Sequence, residues 1–429
     1  MTNREKNPQS GTQSGTDKSS KEVSSINFDE FRTEVIQGLI SGKPLTGKSG
    51  LLKPLIADFV QGALDAEMQD HLSEERAQGQ SNRRNGKQSK QIRTESGEVR
   101  IEYDRDRNGS FEPLTVKKRS HELGVGFDNQ ILELYAMSNS VSDIRLHLER
   151  MYGAMMSESR ISSVINATWD RVRAWHERPL AALYVVLFID AVHLKVRRND
   201  GVATVALYVI YGINVDGQRE IIALYPGQGA ESATEWGRCL QELKNRGLSD
   251  VLIICSDGLA GLHEILSSMF PLARIQRCVV HKIRNCFSLL DHNDSREVLK
   301  QLKKIYLAVN EPAARRQLED FKAHWKGKYD VVVQLWEKDW DQLMACMDLP
   351  EELRKITYTT NAIENLNREI RRVTKTKAAW VSDKALLIQL FHALDRNKKS
   401  WNKKVQQWAK VQRQLIHLFG VRFSKHANQ

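Results

Sequence analysis

The stretch Tyr184-Val-Val-Leu-Phe-Ile-Asp190 decides the fold. Its apolar, β-branched and aromatic residues form a run too short for a helix, and such a run reads as a strand buried on both faces. It ends in one carboxylate. An acid at the end of a buried strand is costly unless a cation or a hydrogen-bond donor meets it. Asp190 therefore calls for partners elsewhere in the chain, and the candidates are Asp257 and Glu364.

The first strand continues to Arg197, and two more follow, Val202–Val215 and Arg219–Gly227, joined by a turn containing Asp216-Gly217. Glu231–Arg246 reads as a helix with Trp236, Leu240 and Leu243 on one face. Asp250–Cys255 is a fourth strand, just before Ser256-Asp257-Gly258. Leu259–Met269 reads as a helix, Ala273–Val280 as a fifth strand and His281–Leu290 as a basic helix. Three strands in hairpin succession, then helix, strand, helix, strand and helix, is the order of a ribonuclease H-like α/β fold. Residues 291–355 are charged and carry Phe321, Trp325, Tyr329, Trp336 and Trp340, which predicts a helical insertion. A helix at 361–373 and one or two more over 381–420 complete the chain.

Upstream, residues 1–27 have almost no apolar content and predict a disordered tail. Residues 28–45 predict a short helix. Residues 51–73 predict an amphipathic helix with Leu55, Phe59, Leu64, Met68 and Leu72 as its apolar face. Ser81–Lys90 reads as a basic loop with a turn at Asn85-Gly86, followed by a small hairpin, Gln91–Arg93 and Glu98–Tyr103, around Ser96-Gly97. Arg83 and Arg84 are candidate phosphate contacts there. Residues 128–175 predict three helices: Asn129–Met137, a second from an N-cap at Ser140 to Arg150, and a third from Ser157 or Ser159. Gly153 lies in the turn between the last two, and the third carries Ile161, Val164, Ile165, Trp169 and Val172. That is a helix-turn-helix layout, which would offer Arg160, Ser163 and Asn166 to base edges or phosphates. A plain helical bundle fits the same pattern. The expected order is a tail (1–27), N-terminal helices with a basic β element (28–125), a helix-turn-helix region (126–178), the first part of the core (179–290), the insertion (291–355), and a catalytic helix with basic C-terminal helices (356–429).

The chain carries 64 Lys+Arg against 53 Asp+Glu, a net +11 that favours a polyanionic partner, nucleic acid before membrane. Leu366–Gln429 alone holds 15 Lys/Arg and 3 acids, and Ser81–Ser120 holds 11 and 6, so two separate regions are basic. Five cysteines without a C-x-x-C pair point to a reducing compartment. With no signal peptide and no apolar span, the sequence reads as cytoplasmic, with no membrane partner.

Clustered acids suit phosphodiester chemistry, because Mg²⁺ is a hard ion that prefers oxygen ligands, and two such ions can serve both the attacking and the leaving oxygen. Each acid also has a plainer reading. Asp257-Gly258 is an ordinary turn signal, Asn361-x-x-Glu364 is a helix capping box, and Asp190 could simply be hydrogen-bonded at a strand end. Cys278-x-x-His281 is half of a zinc spacing with no second pair, so structural zinc is not expected, and His281 reads as capping or orienting its helix. His193 falls on the opposite strand face from Asp190 and is discounted as a base.

At these motifs the chain resembles the Mutator-type transposases of bacterial insertion sequences, from about residue 50 to 425. The matching stretches include ALDAEMQDHL (63–72), NRRNGKQSK (82–90), GEVRIEYDRDRNGSFEP (97–113), ILELYAMSNSVSDIRLHLERMYG (131–153), FIDAVHLKVR (188–197), NRGLSDVLIICSDGLAGL (245–262), FPLARIQRCVVHKIRN (270–285) and TTNAIENLNREIRR (359–372). Asp104 stands where such sequences often have Pro, and the segment from Thr374 follows a Thr-Lys-Thr-Lys form rather than the commoner Gly-containing one. The resemblance implies a ribonuclease H-like enzyme with an Asp-Asp-Glu site at Asp190, Asp257 and Glu364, holding two Mg²⁺ ions, with Mn²⁺ able to replace them. It implies strand cleavage at the ends of an insertion sequence, then attack of the 3′-hydroxyl on target DNA. Arg368, Arg371 and Arg372 would hold flanking phosphates, and Cys278 and His281 form a family signature of unassigned role. Double-stranded DNA is the implied partner, at the nucleoid, with a homodimer or higher assembly on it. The competing readings are a non-enzymatic helix-turn-helix regulator and a structure-selective nuclease.

Overall fold

The computed structural model describes residues 27–427 apart from 48, 95, 119–120, 122, 124–125, 153–155, 200, 359–360 and 376. The tail expected at 1–27 lies outside the described residues except for Asn27, whose side chain caps the helix Phe28–Ile40. The chain divides into two compact units, residues 1–127 with 146–156, and residues 128–145 with 157–429.

In the first unit an antiparallel hairpin, β1 (Arg84–Thr94) and β2 (Gly97–Asp106), packs against the helix Lys53–Ala77. Val60 and Leu64 of that helix meet Ile92, Val99, Ile101 and Val116. Met68 and Leu72 meet Phe111. The buried row therefore runs 60, 64, 68, 72, strictly every fourth residue, which keeps it on one helix face. Phe59, expected in that row, is one position off it and is 66% exposed. The hairpin is also longer than the sequence pattern predicts. Arg84–Lys90 is strand, not loop. Its register slips between Arg84 and Lys87, and Gly86 sits at φ +78°, so the Asn-Gly pair forms a bulge within the strand instead of a turn.

In the second unit five strands form a mixed sheet: β3 (Leu183–Arg198), β4 (Gly201–Asn214), β5 (Arg219–Pro226), β6 (Asp250–Ser256) and β7 (Arg274–Arg277). Their spatial order is β5-β4-β3-β6-β7, with β3, β4 and β5 antiparallel and β6 and β7 parallel to β3. Both faces are covered, which is why β3 reads as a near-continuous apolar run. On one face Tyr184, Leu187 and Ile189 join Trp236 and Leu240 of the helix Ala233–Asn245 and Leu266 of the helix Leu262–Met269. On the other, Phe188, Val192, Leu194 and Val196 join Ile363, Leu366 and Ile370 of the helix Asn361–Thr374 and Leu386 and Leu390 of the helix Asp383–Arg396. The residues between β7 and the Asn361–Thr374 helix are helical, as expected, and close around their own core of Leu302, Leu318, Phe321, Trp336 and Leu343.

Three boundaries differ from the sequence expectation. β7 stops at Arg277: the Cys278 amide still donates across to Ser256 O of β6 (2.7 Å), and Cys278 is already the N-cap of the helix Val279–Phe287. The helix after Asp257 begins at Leu262 instead of Leu259, because Gly261 takes a left-handed φ of +77°. The helix capped by Ser157 ends at Ala167 and a second runs Trp169–Glu177. Ser140 likewise caps its helix, its Oγ accepting from Asp143 N (3.1 Å), while the turn residue Gly153 lies outside the described residues. All five cysteines are free and buried. Among the described residues no helix is long and apolar enough to cross a membrane.

Gly217, in the β4–β5 turn, has φ +77°, and a Cβ built there would lie 2.3 Å from the Trp408 indole. Gly327, at φ +78°, faces open space. Gly217→Ala is expected to cost about 2–4 kcal/mol by denaturant unfolding, from backbone strain and overpacking together. Gly327→Ala is expected to cost about 1 kcal/mol, from the backbone alone. Equal costs would remove the Trp408 contact from the explanation.

Candidate active site

Asp190 lies on the face of β3 that meets the Asn361–Thr374 helix, interrupting the apolar row of Phe188, Val192, Leu194 and Val196. It is 8% exposed. Its Oδ1 accepts from the Ala191 amide (2.9 Å), and its Oδ2 accepts from Asn367 Nδ2. His281 Nε2 stands 4.0 Å from the same Oδ2. Burial lifts the Asp190 carboxyl above its usual range, His281 opposes the lift, and Asp257 adds to it.

β6 brings Asp257 near enough to influence Asp190, though Asp257 lines a neighbouring cavity with His263, Arg277, Lys282 and Asp339 and not the one that holds Asp190 and Glu364. β6 pairs with β3 as far as Phe188 opposite Cys255, so two residues further on each chain are Asp190 and Asp257. β3 runs on past that point, and its β6-side edge is next engaged where Trp380 N donates to Lys195 O (2.8 Å). Asp190 thus sits in a gap between two backbone partners of one strand edge. A further acid, Glu231, feels both aspartates. Its carboxyl is pushed up to about 7, by burial first and then by Asp257 and Asp190, against a hydrogen bond from Trp236 Nε1 (2.8 Å). The sequence pattern did not single out Glu231, and the one signal for it was an acid just ahead of an N-cap serine. His281 is held up to about 9, by Cys278 first and then by Asp190 and Asp257. Cys278 is the N-cap residue of that helix, and His281 serves Asp190 instead of capping.

Glu364 comes from the opposite wall. The helix NAIENLNREIRRVT buries Ile363, Leu366, Ile370 and Val373 together with Asn367, a spacing that fits one helical stripe. Glu364 and Asp190 line one cavity of about 420 Å³ with Arg284, Arg368, Arg371 and Lys375. Arg284 donates to Glu364 Oε1 at 2.6 Å. Asn367, 3% exposed, keeps a buried Oδ1 without a partner. The donors here are oxygens, as a hard divalent ion requires. Among the described residues no three His, Cys, Asp or Glu side chains converge as closely as one ion needs, and Glu364 is turned to Arg284.

A family model described as "Transposase, Mutator family" matches residues 31–404. The chain belongs to the Mutator family of transposases. It is 35% identical over 395 residues to the transposase for insertion sequence element ISRM3 of Rhizobium meliloti, covering 91% of this chain and 98% of that one. It is 34% identical over 346 residues to the transposase for IS905 of Lactococcus lactis, covering 79% and 87%. The Drosophila P element transposase strand transfer complex aligns at TM-score 0.27 and 12% identity, over 69% of this chain and 87% of that one, too distant to inform the fold.

In this Mutator-family chain the candidate DNA contacts fall into two classes. Arg368, Arg371 and Arg372 are exposed at the Asp190 cavity, with Arg372 also paired to Glu369 at 2.8 Å. Arg160 and Asn166 are exposed on the helix Glu158–Ala167, where Arg160 pairs with Asp128 at 3.2 Å. Arg83 is exposed, whereas Arg84 bonds to Asp104 and reaches Asp65 at 3.4 Å.

The loop after Asp257 is clamped from the helical insertion. Arg277, at the end of β7, donates to Gly258 O (3.3 Å) and pairs with Asp339 Oδ1 (2.7 Å). Asp339 also bonds Lys282, which is 4% exposed, so one carboxylate neutralises two cations. A Cβ at Gly258 would fall 1.7 Å from the Arg277 guanidinium. Gly258→Ala is expected to lower transposase activity about 10–100-fold, as losses of supporting contacts do at metal sites. In an Arg277→Ala background it should add almost nothing, because the clash is gone. Additive losses in the double-mutant cycle would show that Gly258 matters for another reason.

Proposed function

We propose that this protein is a DNA strand transferase with a ribonuclease H-like core, in which Asp190, Asp257 and Glu364 hold two Mg²⁺ ions, with Mn²⁺ able to replace them. The observation that carries the reading is the buried Asp190, held by Asn367 in a cavity that Glu364 and five cations also line. A purely regulatory DNA-binding protein has no use for a carboxylate kept at that cost. When bound, the ions would sharpen water and then the 3′-hydroxyl as nucleophiles and offset charge on the leaving oxygen.

The chain's own residues do the rest. Asn367 and the Ala191 amide fix the orientation of Asp190. Arg277 fixes the loop of Asp257. Arg284, Arg368, Arg371 and Arg372 bind the phosphates that flank the scissile one, and so position the strand without reading its sequence. In the first step a water oxygen bonds to phosphorus as the bond from phosphorus to the element's 3′-oxygen breaks; the water gives up a proton, and the leaving oxygen takes one to become the 3′-hydroxyl. In the second, that oxygen bonds to a target phosphorus and displaces a target 3′-oxygen. Arg160 and Asn166, on a helix-turn-helix unit, would read the element's ends. Joining two ends to one target requires at least two copies of the chain, acting on chromosomal DNA in the cytoplasm.

Incubation with Mg²⁺ and a labelled duplex of the element's own end tests this. Wild type should cleave and join, and Asp190→Asn should bind equally and do neither. Cleavage by the variant would remove Asp190 from the chemistry, and cleavage without joining by the wild type would leave a nuclease. Asn367→Ala should bind DNA normally but need about 10–100-fold more Mg²⁺ for half-maximal cleavage. An unchanged metal requirement would reduce Asn367 to a packing role.

A further inference from the structure

At the end of β2 the run Asp104-Arg105-Asp106-Arg107, whose last residue lies just past the strand, has no net charge, yet the backbone sorts it. Successive side chains in a strand face opposite ways. Asp104 and Asp106 are buried, 7% and 6% exposed, whereas Arg105 and Arg107 are exposed. The acids are engaged internally. Asp104 accepts from Arg84. Asp106 Oδ2 accepts from Asn82 Nδ2 (3.0 Å), Ser110 N (2.9 Å) and Ser110 Oγ (3.0 Å). Its carboxyl drops to about 2, because those hydrogen bonds outweigh the opposing effect of burial. Among the described residues neither Arg105 nor Arg107 pairs with an acid. Arg107 is still fixed in the ladder, its amide donating to Arg83 O (2.9 Å).

The two arginines border a cavity of about 930 Å³ with Lys90, Arg100 and Lys118. Asp104 and Asp106 share its wall; Arg84 meets the charge of Asp104, and the Asp106 carboxylate is hydrogen-bonded by Asn82 and Ser110. Tyr103 lines it as well, with Lys90 Nζ 6.0 Å from its ring centroid. Lys90 donates to Lys117 O (3.2 Å) and Lys118 pairs with Glu112 (3.0 Å), so those two are partly committed. Arg105 and Arg107 are not. Arg84, the more obvious candidate by sequence, is spent on Asp104.

We infer that this hairpin face is a DNA-backbone site in which Arg105 and Arg107 bind phosphates of duplex DNA. The inference rests on the transposase reading for the identity of the polyanion, and on the sorted strand for the residues. No base edge needs to be reached, so the site adds affinity equally to every sequence.

Salt-dependent binding of the full chain to two labelled duplexes, the element's end and a scrambled one, tests it by fluorescence anisotropy. Each phosphate contact contributes about 0.9 to the slope of log K against log salt. Arg105→Gln/Arg107→Gln should lower that slope by about 1.8 on both duplexes, weaken both by the same factor, and leave the melting temperature in place. Arg105→Lys/Arg107→Lys keeps the charge and should keep the slope, which separates charge loss from a folding defect. An unchanged slope in the Gln variant overturns the site, as does a loss confined to the element's end. Tighter binding to an RNA duplex of the same sequence overturns the assignment to DNA. Failure of the wild type to bind either DNA duplex would sink the transposase reading itself, a separate outcome.

Discussion

The hydrogen bond from Asn367 to Asp190 joins a buried strand to an amphipathic helix through the one carboxylate in an apolar row. Withdrawing a carboxylate from water costs several kcal/mol unless donors replace the solvent. Here the Ala191 amide, the Asn367 amide and the His281 imidazole stand in for it. The two donated bonds come from β3 itself and from one helix, and the imidazole, on a second helix, stands 4.0 Å away. The side chain that is most expensive to bury is therefore also the one that fixes how those helices sit on the sheet. Chemistry and packing share a single set of contacts.

The helix Val279–Phe287 links the parts. On one side His281 and Arg284, three residues apart and so on one face, reach Asp190 and Glu364. Lys282 points elsewhere, to Asp339 of the insertion. Residues far apart in sequence are tied here by ion pairs as well as by the apolar packing of Val279 and Cys286 into the core of the insertion. Ion pairs of this kind contribute little to overall stability but are strict about geometry. The helical insertion has a core of its own, and its influence on the Asp257 loop passes through Asp339 and Arg277.

Much of this was legible in the sequence. The apolar run before Asp190, the strand before Asp257 and the amphipathic helix of Glu364 all carry periodicities that local patterns report. The succession of three strands, then helix, strand, helix and strand, matches the expected order of elements. What escaped was whatever depends on long-range partners. Glu231 lies in a connecting loop with no periodicity, and only its place beside two aspartates gives it meaning. Asn367 looked like one more polar residue on a charged helix. Arg84 looked free until Asp104 was seen opposite. The bulge at Gly86 mimicked a turn because Asn-Gly serves both. Phe59 was counted in the helix stripe because a bulky apolar residue outweighs a one-position offset in a reading by type.

Finally, β3 pairs with β4 along its length but with β6 only up to Phe188. Past the β-bulge at Tyr184–Val186, both pairings fix the parity of the residues leading to Asp190, since shifting a strand by one residue turns each side chain to the other face. A single-residue insertion or deletion between Val186 and Asp190 would carry the carboxylate through the sheet, to the side occupied by Trp236 and Leu240. The strand is thus counted like a reading frame on both sides of the acid, by β4 and β6 before it and by β4 and Trp380 after it.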